Sequence, residues 1–98
     1  MTDLSQTKMP ERGFYEHVER PGDAPLGVRT VEFLNLAHSK DGPTLAIYRP
    51  LDPEVPVYKA GKRWDYKPLE EFLERYQLVT GLIHNQQLAK LRDQLYAD

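Results

Sequence analysis

The sequence predicts a small, mainly β domain in which a strongly bent antiparallel barrel is followed by helices. Three features support this prediction. Short runs of β-branched and aromatic residues alternate with loops rich in proline and glycine, one strand pattern changes face in its middle, and a leucine stripe at helical spacing lies near the end. The chain has 98 residues, 40% of them hydrophobic and 29% charged, which suits one domain with one modest core.

The second strand candidate, VRTVEFLNLAHS, contains the face change. Val31 and Phe33 share one face of the strand, whereas Leu34 and Leu36 share the other. Because side chains alternate strictly along a strand, this slip predicts a β-bulge at a sharp bend. Asn35 lies next to the slip, and asparagine tolerates a positive φ better than most non-glycine residues, which suits a sharp bend at this position.

The remaining strands are predicted from equally short patterns. GFYEHVE precedes the bulged strand, TLAIYRPL follows it, and the aromatic residues between 57 and 66 indicate two more strands around Gly61, for about five in all. Pro68 then begins a short helix, PLEEFLERY, because proline suits the first helical position. The interpretation divides the chain into a mobile tail over 1–12, a barrel with its closing helix over 13–76 and a C-terminal helix over 77–98.

The C-terminal segment LIHNQQLAKLRDQLY is predicted to be an amphipathic helix. Leu88, Leu91 and Leu95 form a stripe along it, and an isolated helix of about fifteen residues is marginal in water. The stripe must therefore pack on something. Two alternatives stay open, namely the chain's own barrel and a second copy, which would form a homodimer through this helix.

Four segments, taken in order, resemble the bacterial and phage proteins grouped as domain of unknown function 1653. GFYEHVE is similar to the family's opening G-x-Y-x-H, VEFLNLAHS to its Y-E-V-L-G-x-A-x-H-S strand, LAIYRPL to its L-V-V-Y-R-x-L strand, and YKPLEEFLE to its V-R-P-L-E-M-F-x-E. The resemblance covers 13–74 and implies an SH3-like β-barrel without catalytic residues to carry over. Residues 22–29 look like an insertion relative to the family, and the helix beyond Tyr76 lies outside the resemblance.

Composition and charge exclude several classes of function. The formal net charge of -2 and a pI near 5.9 supply no overall attraction to polyanions, so a contact with nucleic acid would need a local basic patch. The absence of cysteine excludes disulfides, thiolate metal sites and cysteine nucleophiles. No apolar run approaches the length of a membrane span, and the N-terminal residues do not resemble a signal peptide, so we expect a cytoplasmic protein without a membrane partner.

The segment VYKAGKRWDYK contains the strongest candidate for a binding site, because it interleaves cations with aromatic residues. This basic aromatic surface contains Tyr58, Lys59, Lys62, Arg63, Trp64 and Lys67. It predicts a non-catalytic binding module whose partner is another protein; the alternative is a nucleic-acid or nucleotide binder, because single strands stack on aromatic side chains beside cations. A solvated hairpin with its aromatic side chains in the core is the structural alternative.

The histidines and serines give no pattern for catalysis. His17, His38 and His84 lack the spacing of metal ligands, and Ser5 and Ser39 lie outside any nucleophile motif. We therefore expect no catalytic residue, no metal and no cofactor.

Side chains on the predicted strands are given structural roles. We expect His17 and His38 to form hydrogen bonds at strand ends, and Tyr15 and Tyr48 to pack in the barrel wall. Arg49 is expected at a strand end, where its long side chain can reach water or pair with a carboxylate.

Overall fold

The computed structural model describes residues 10–38, 40–52 and 64–96. Its elements in chain order are β1 (Gly13–His17), β2 (Thr30–Ala37), β3 (Leu45–Pro50), β4 (Asp65–Pro68), α1 (Leu69–Arg75), β5 (Tyr76–Leu78) and α2 (Leu82–Leu95). The five strands form one antiparallel sheet in the order β4-β3-β2-β1-β5. Neither helix of this described part has the length and apolar character that a membrane span requires.

The sheet is open over the described residues, so the predicted closed barrel and the mainly β class need correction. β4 and β5 are the two edges of the sheet, and they are joined by α1 rather than paired with each other. These edge strands have only four and three residues, which leaves few main-chain groups for closure. Helices cover both faces of the sheet, and the domain is therefore mixed in strand and helix.

The predicted bulge in β2 is confirmed. Phe33 pairs with Tyr48 and Asn35 pairs with Ile47, which leaves Leu34 as the extra residue of the bulge. Leu36 therefore returns to the face of Phe33 and packs against the same core cluster.

Asn35 bends the strand without a positive φ. The non-glycine residue with a positive φ in the described part of the chain is Arg29, with a φ of 52°. Asn35 instead accepts a hydrogen bond from the Leu36 N–H through its side-chain oxygen, at 2.8 Å. A bulge can be accommodated in the right-handed region, so the bend needs no left-handed residue.

Helix α1 fills the concave face of the sheet with one side chain. Phe72 is fully buried, and its ring lies 5.0 to 5.8 Å, between centroids, from the rings of Tyr15, Phe33, Tyr48 and Tyr76. These neighbours come from β1, β2, β3 and β5. Phe72 therefore fixes the curvature of the sheet from inside.

Helix α2 covers part of the outer face through its leucine stripe. Leu88 is fully buried in a cluster with Phe14, Leu51 and Val79, and Leu91 and Leu95 pack against that cluster. The helix is docked on its own sheet, so the predicted homodimer through α2 is not needed to cover the stripe.

The loop between β1 and β2 is held together by Arg20 and fastened under α2. The Arg20 guanidinium donates hydrogen bonds to the carbonyl oxygens of Val28, Ala24 and Pro25 at 2.8 to 2.9 Å. Gly27 has a φ of 89°, and a Cβ placed there would lie 2.5 Å from Cδ2 of Leu91. Glycine at 27 thus allows the loop to approach the helix closely.

One predicted strand cannot be compared with the structure, and one observed strand is not predicted. The strand predicted near Val57 lies outside the described residues, as does most of the predicted tail. The sequence does not predict strand β5, because YQLVTG looks like a linker between two helices. This strand pairs antiparallel with β1, opposite Tyr15, Glu16 and His17.

Candidate binding site

The predicted basic aromatic surface is only partly within the described residues. Tyr58, Lys59, Lys62 and Arg63 lie outside them, whereas Trp64 and Lys67 lie inside. Trp64 immediately precedes β4, and Lys67 is its third residue. Beta-strand geometry therefore determines where the described members of this surface point.

Trp64 and Tyr66 form an exposed aromatic pair at the edge of the sheet. Each residue is 51% exposed, and their ring centroids are 6.4 Å apart with the planes inclined at 40°. The other aromatic side chains of the described residues are buried or half-buried. The predicted site omits Tyr66, although its position two residues after Trp64 places both rings on one side.

Two uncharged side chains continue the row of this pair across the sheet. Tyr66 pairs with Ile47 on β3, and Ile47 pairs with Asn35 on β2, so these three residues form one row across the outer face. We call Asn35, Ile47, Trp64 and Tyr66 the β4 surface. Helix α2 packs on a different part of the outer face, around Phe14 and Leu51, and the aromatic pair stays exposed.

Lys67 is separated from the aromatic pair by strand alternation. It pairs with the buried Ala46, and its ammonium lies 6.0 Å from the ring centroid of Tyr48, on the concave side of the sheet. Burial raises the pKa of the Tyr48 phenol, and the nearby Asp65 carboxylate raises that pKa further. Lys67 therefore borders the concave core, and the sequence prediction that groups it with Trp64 joins two different faces.

Arg49 is held in an ionic cluster with Glu32 and Arg92. Nε of Arg49 donates to Oε1 of Glu32 at 2.8 Å, and Nη1 of Arg92 donates to Oε2 at 2.7 Å. The hydrogen bond to Glu32 raises the pKa of the Arg92 guanidinium, and Glu32 itself is only 8% exposed. Of the two alternatives predicted for Arg49, water or a carboxylate, the structure shows the carboxylate, and the cluster ties β2 and β3 to α2.

An aromatic contact also holds the Arg49 side chain in place. Its guanidinium carbon lies 4.3 Å from the ring centroid of Tyr96, whose hydroxyl donates to the carbonyl oxygen of Pro50 at 2.6 Å. A guanidinium stacked on an aromatic face and bonded to a carboxylate has little freedom to bind a ligand. The structure thus supports a structural role for Arg49.

The histidines and core tyrosines lie where the sequence predicts. Nδ1 of His17 accepts the Glu19 N–H at 3.1 Å, and Nδ1 of His38 lies 3.3 Å from the Thr44 hydroxyl, both at strand ends. Tyr15 and Tyr48 are 4% and 6% exposed and pack in the concave core.

Two pockets of the described surface, each of about 310 Å³, lie away from the β4 surface. One is lined by Leu26 and the outer side of α2, and the other by Pro43, Thr44 and the start of α1. Within residues 10–38, 40–52 and 64–96, no three histidine or carboxylate side chains are grouped so that they could hold a metal ion. The best candidate site is therefore the β4 surface, which lies outside both pockets.

Comparisons with known proteins identify no relative. No protein-family model matches the chain, and neither the curated proteins nor the solved structures include a significant match. The role of the chain has to be argued from its own geometry.

Proposed function

We propose that this chain is a non-catalytic binding module that recognises another protein through the β4 surface. The supporting observation is the exposed pair of Trp64 and Tyr66, which lie side by side on an edge strand. Tryptophan and tyrosine are enriched at the centres of protein interfaces because they bury a large area while few rotatable bonds become ordered. Neither of the two pockets described above includes the pair, which favours a protein partner over a small ligand, because a small ligand usually needs a concave pocket.

The charge distribution also favours a protein over nucleic acid. Single-strand binding surfaces place cations beside their stacking aromatic side chains. Among the described residues, the β4 surface contains no charged side chain, Lys67 lies on the other face, and Arg49 is paired with Glu32. The alternative, a nucleic-acid binder, would depend on Lys59, Lys62 and Arg63.

The proposal includes an SH3-like topology of the type implied by domain of unknown function 1653. The strand order β4-β3-β2-β1-β5 supports it, because β2, β3 and β4 form a meander, β1 lies next to β2 with β5 beyond it, and a short helix joins the two edge strands. The bend at Leu34 adds support, since small barrels of this kind depend on strongly bent strands. On this proposal, the family's fold is present in an open form.

Changing Trp64 and Tyr66 together to alanine should abolish partner binding without unfolding the domain. Truncating an interface aromatic residue commonly costs about 2 kcal/mol or more of binding free energy, about thirtyfold in Kd, whereas exposed positions affect folding by about 0.5 kcal/mol. The measurement is affinity capture from nuclease-treated extract, followed by titration with the purified partner. Val18→Ala is the matched control, because Val18 is 50% exposed and is not part of the β4 surface.

The titration can be followed by tryptophan fluorescence, because Trp64 is the single tryptophan of the chain. Burial of its ring by a protein should shift the emission to shorter wavelength in the wild type and in Val18→Ala. The double alanine variant has no tryptophan, so its titration is followed by calorimetry. If this variant binds the partner as tightly as the wild type does, the β4 surface is not the binding site.

The nucleic-acid alternative has its own test in the same assay. Single-stranded oligonucleotides would quench Trp64 with an affinity that falls steeply as salt rises, because binding releases counterions. Changing Lys62 and Arg63 to glutamate would then abolish binding, with a stability change below about 0.5 kcal/mol. We expect no such oligonucleotide binding, and salt-dependent quenching lost in this variant would replace the protein hypothesis with the nucleic-acid one.

A further inference from the structure

We propose that two copies of this chain associate by antiparallel pairing of their β4 strands, about a two-fold axis through Tyr66. In the described residues β4 pairs with β3 on one side and ends the sheet on the other. An edge strand presents unpaired main-chain groups that can pair with another strand. The direction of these groups and the charges on β4 both fit a second copy.

The hydrogen-bond pattern shows which residues of β4 face the free edge. The Leu69 N–H donates to the Thr44 carbonyl oxygen at 2.9 Å, in the same register as the β3–β4 pairs. Hydrogen-bonded pairs alternate along an antiparallel ladder, so Lys67 and Asp65 direct their main-chain groups towards β3. Tyr66 and Pro68 then direct theirs outwards. Proline at 68 agrees with this geometry, since its missing N–H costs the sheet no hydrogen bond.

The outward N–H of Tyr66 has a replaceable partner. It donates to Oδ1 of Asp65, its exposed neighbour, at 2.8 Å. In the proposed pair, each Tyr66 N–H donates instead to the carbonyl oxygen of the second copy's Tyr66, and the reverse bond completes a hydrogen-bonded pair. The Asp65 carboxylate is then free to meet a cation.

Several registers of the two β4 strands keep the same main-chain hydrogen-bond pattern, and the charges on β4 favour one of them. With Tyr66 opposite Tyr66, Asp65 of each copy lies opposite Lys67 of the other, on the concave side of the sheet. A shift of the second strand by two residues would place Lys67 opposite Lys67 or Asp65 opposite Asp65, and like charges directly opposite are unfavourable. Two Asp65–Lys67 pairs therefore favour the register centred on Tyr66.

This pairing would also join the two β4 surfaces. The two Tyr66 rings come together on the outer face, each next to the Trp64 of its own copy. A module that binds a partner through the β4 surface would thus offer it a doubled aromatic surface. Because β4 has only four residues, the interface is small, and we expect weak association that depends on concentration.

Sedimentation velocity of two charge-reversal variants tests the proposal. In Asp65→Lys, a lysine of each copy would lie opposite a lysine of the other, and in Lys67→Asp, two aspartates would lie opposite each other in the same way. Self-association of either variant should weaken by about tenfold or more relative to the wild type. An equimolar mixture of the two should associate at least as well as the wild type, because every cross-strand pair then joins opposite charges.

Further measurements distinguish a loss of self-association from unfolding of the variants. Thermal unfolding of each variant reports folding, and Asp65→Asn, which keeps an oxygen for the Tyr66 N–H, should also weaken association. A monomeric wild type up to about 1 mM, or a mixture that associates no better than its components, would overturn the proposal. The variants retain Trp64 and Tyr66, so partner capture through the β4 surface is measured independently of self-association.

Discussion

Replacing Phe72 by alanine is expected to destabilise the domain by about 3 to 5 kcal/mol, the usual cost of deleting a buried phenylalanine ring. The ring is fully buried and contacts aromatic side chains of four strands. Its loss would leave a cavity at the centre of the concave face, where α1 has no other buried side chain. A loss of this size approaches the whole stability of a small domain.

Urea unfolding measures this loss, and thermal unfolding should show a midpoint lowered by at least about 12 °C. Leu73→Ala is the matched control, since Leu73 is the next residue on α1 and is 45% exposed. We expect the control to cost below about 1 kcal/mol. Equal losses for the two variants would show that Phe72 does not fix the curvature of the sheet.

The parts of the fold that the sequence predicts have local patterns. Strands β1, β2 and β3 and helix α2 each show their own hydrophobic period, and the slip between Phe33 and Leu34 is visible without any knowledge of the partner strand. Helix α1 has Pro68 before it and acidic residues in its first turn. Such signals need only neighbouring residues, so one sequence is enough to interpret them.

The parts of the fold that the sequence does not predict depend on contacts between residues far apart in the chain. Strand β5 has three residues, too few to show alternation, and it forms because β1 lies beside it. The ionic cluster joins Glu32 and Arg92, which are sixty residues apart, so no spacing in the sequence identifies it. A glutamate between Val31 and Phe33 was the available signal, because a charge on a buried strand requires a partner.

The sequence prediction of the site rests on composition. Strand geometry adds the face of the sheet on which each side chain lies. Grouping Trp64 with Lys67 followed from cations and aromatic residues close in sequence. Strand alternation separates them, since Tyr66 faces outwards with Ile47 while Lys67 lies beside Ala46 and Tyr48. Alternation applied from Trp64 onwards places Tyr66 on the same face as Trp64 and Lys67 on the other face.

The loop between β1 and β2 packs against helix α2. Residues 22–29 form part of the loop between β1 and β2, and Leu26 of that loop lines a groove with residues of α2. Gly27 approaches Leu91 so closely that a larger residue would clash. This loop therefore supports helix α2 on the outer face of the sheet.

The ionic cluster gives the second large expected effect: Glu32→Gln should destabilise the domain by about 2 to 4 kcal/mol. The glutamine keeps the shape of the side chain but removes the charge that faces Arg49 and Arg92. Two guanidinium groups would remain close together at the contact between β3 and α2, with their mutual repulsion no longer offset. Arg49→Ala and Arg92→Ala should cost less, about 1 to 2 kcal/mol each, because Glu32 keeps one cation.

Urea unfolding of these variants should rank Glu32→Gln first. Glu19→Gln is the control, since its 76% exposed side chain pairs with Arg29 at 3.9 Å and should contribute below about 0.5 kcal/mol. Arg49→Ala also separates structure from binding. It should lower stability while leaving partner binding to the β4 surface unchanged at a temperature where the variant is folded. If the Arg49→Ala protein is fully stable but no longer binds its partner, Arg49 belongs to the binding site. The ionic cluster would then contribute nothing measurable to the stability of the fold.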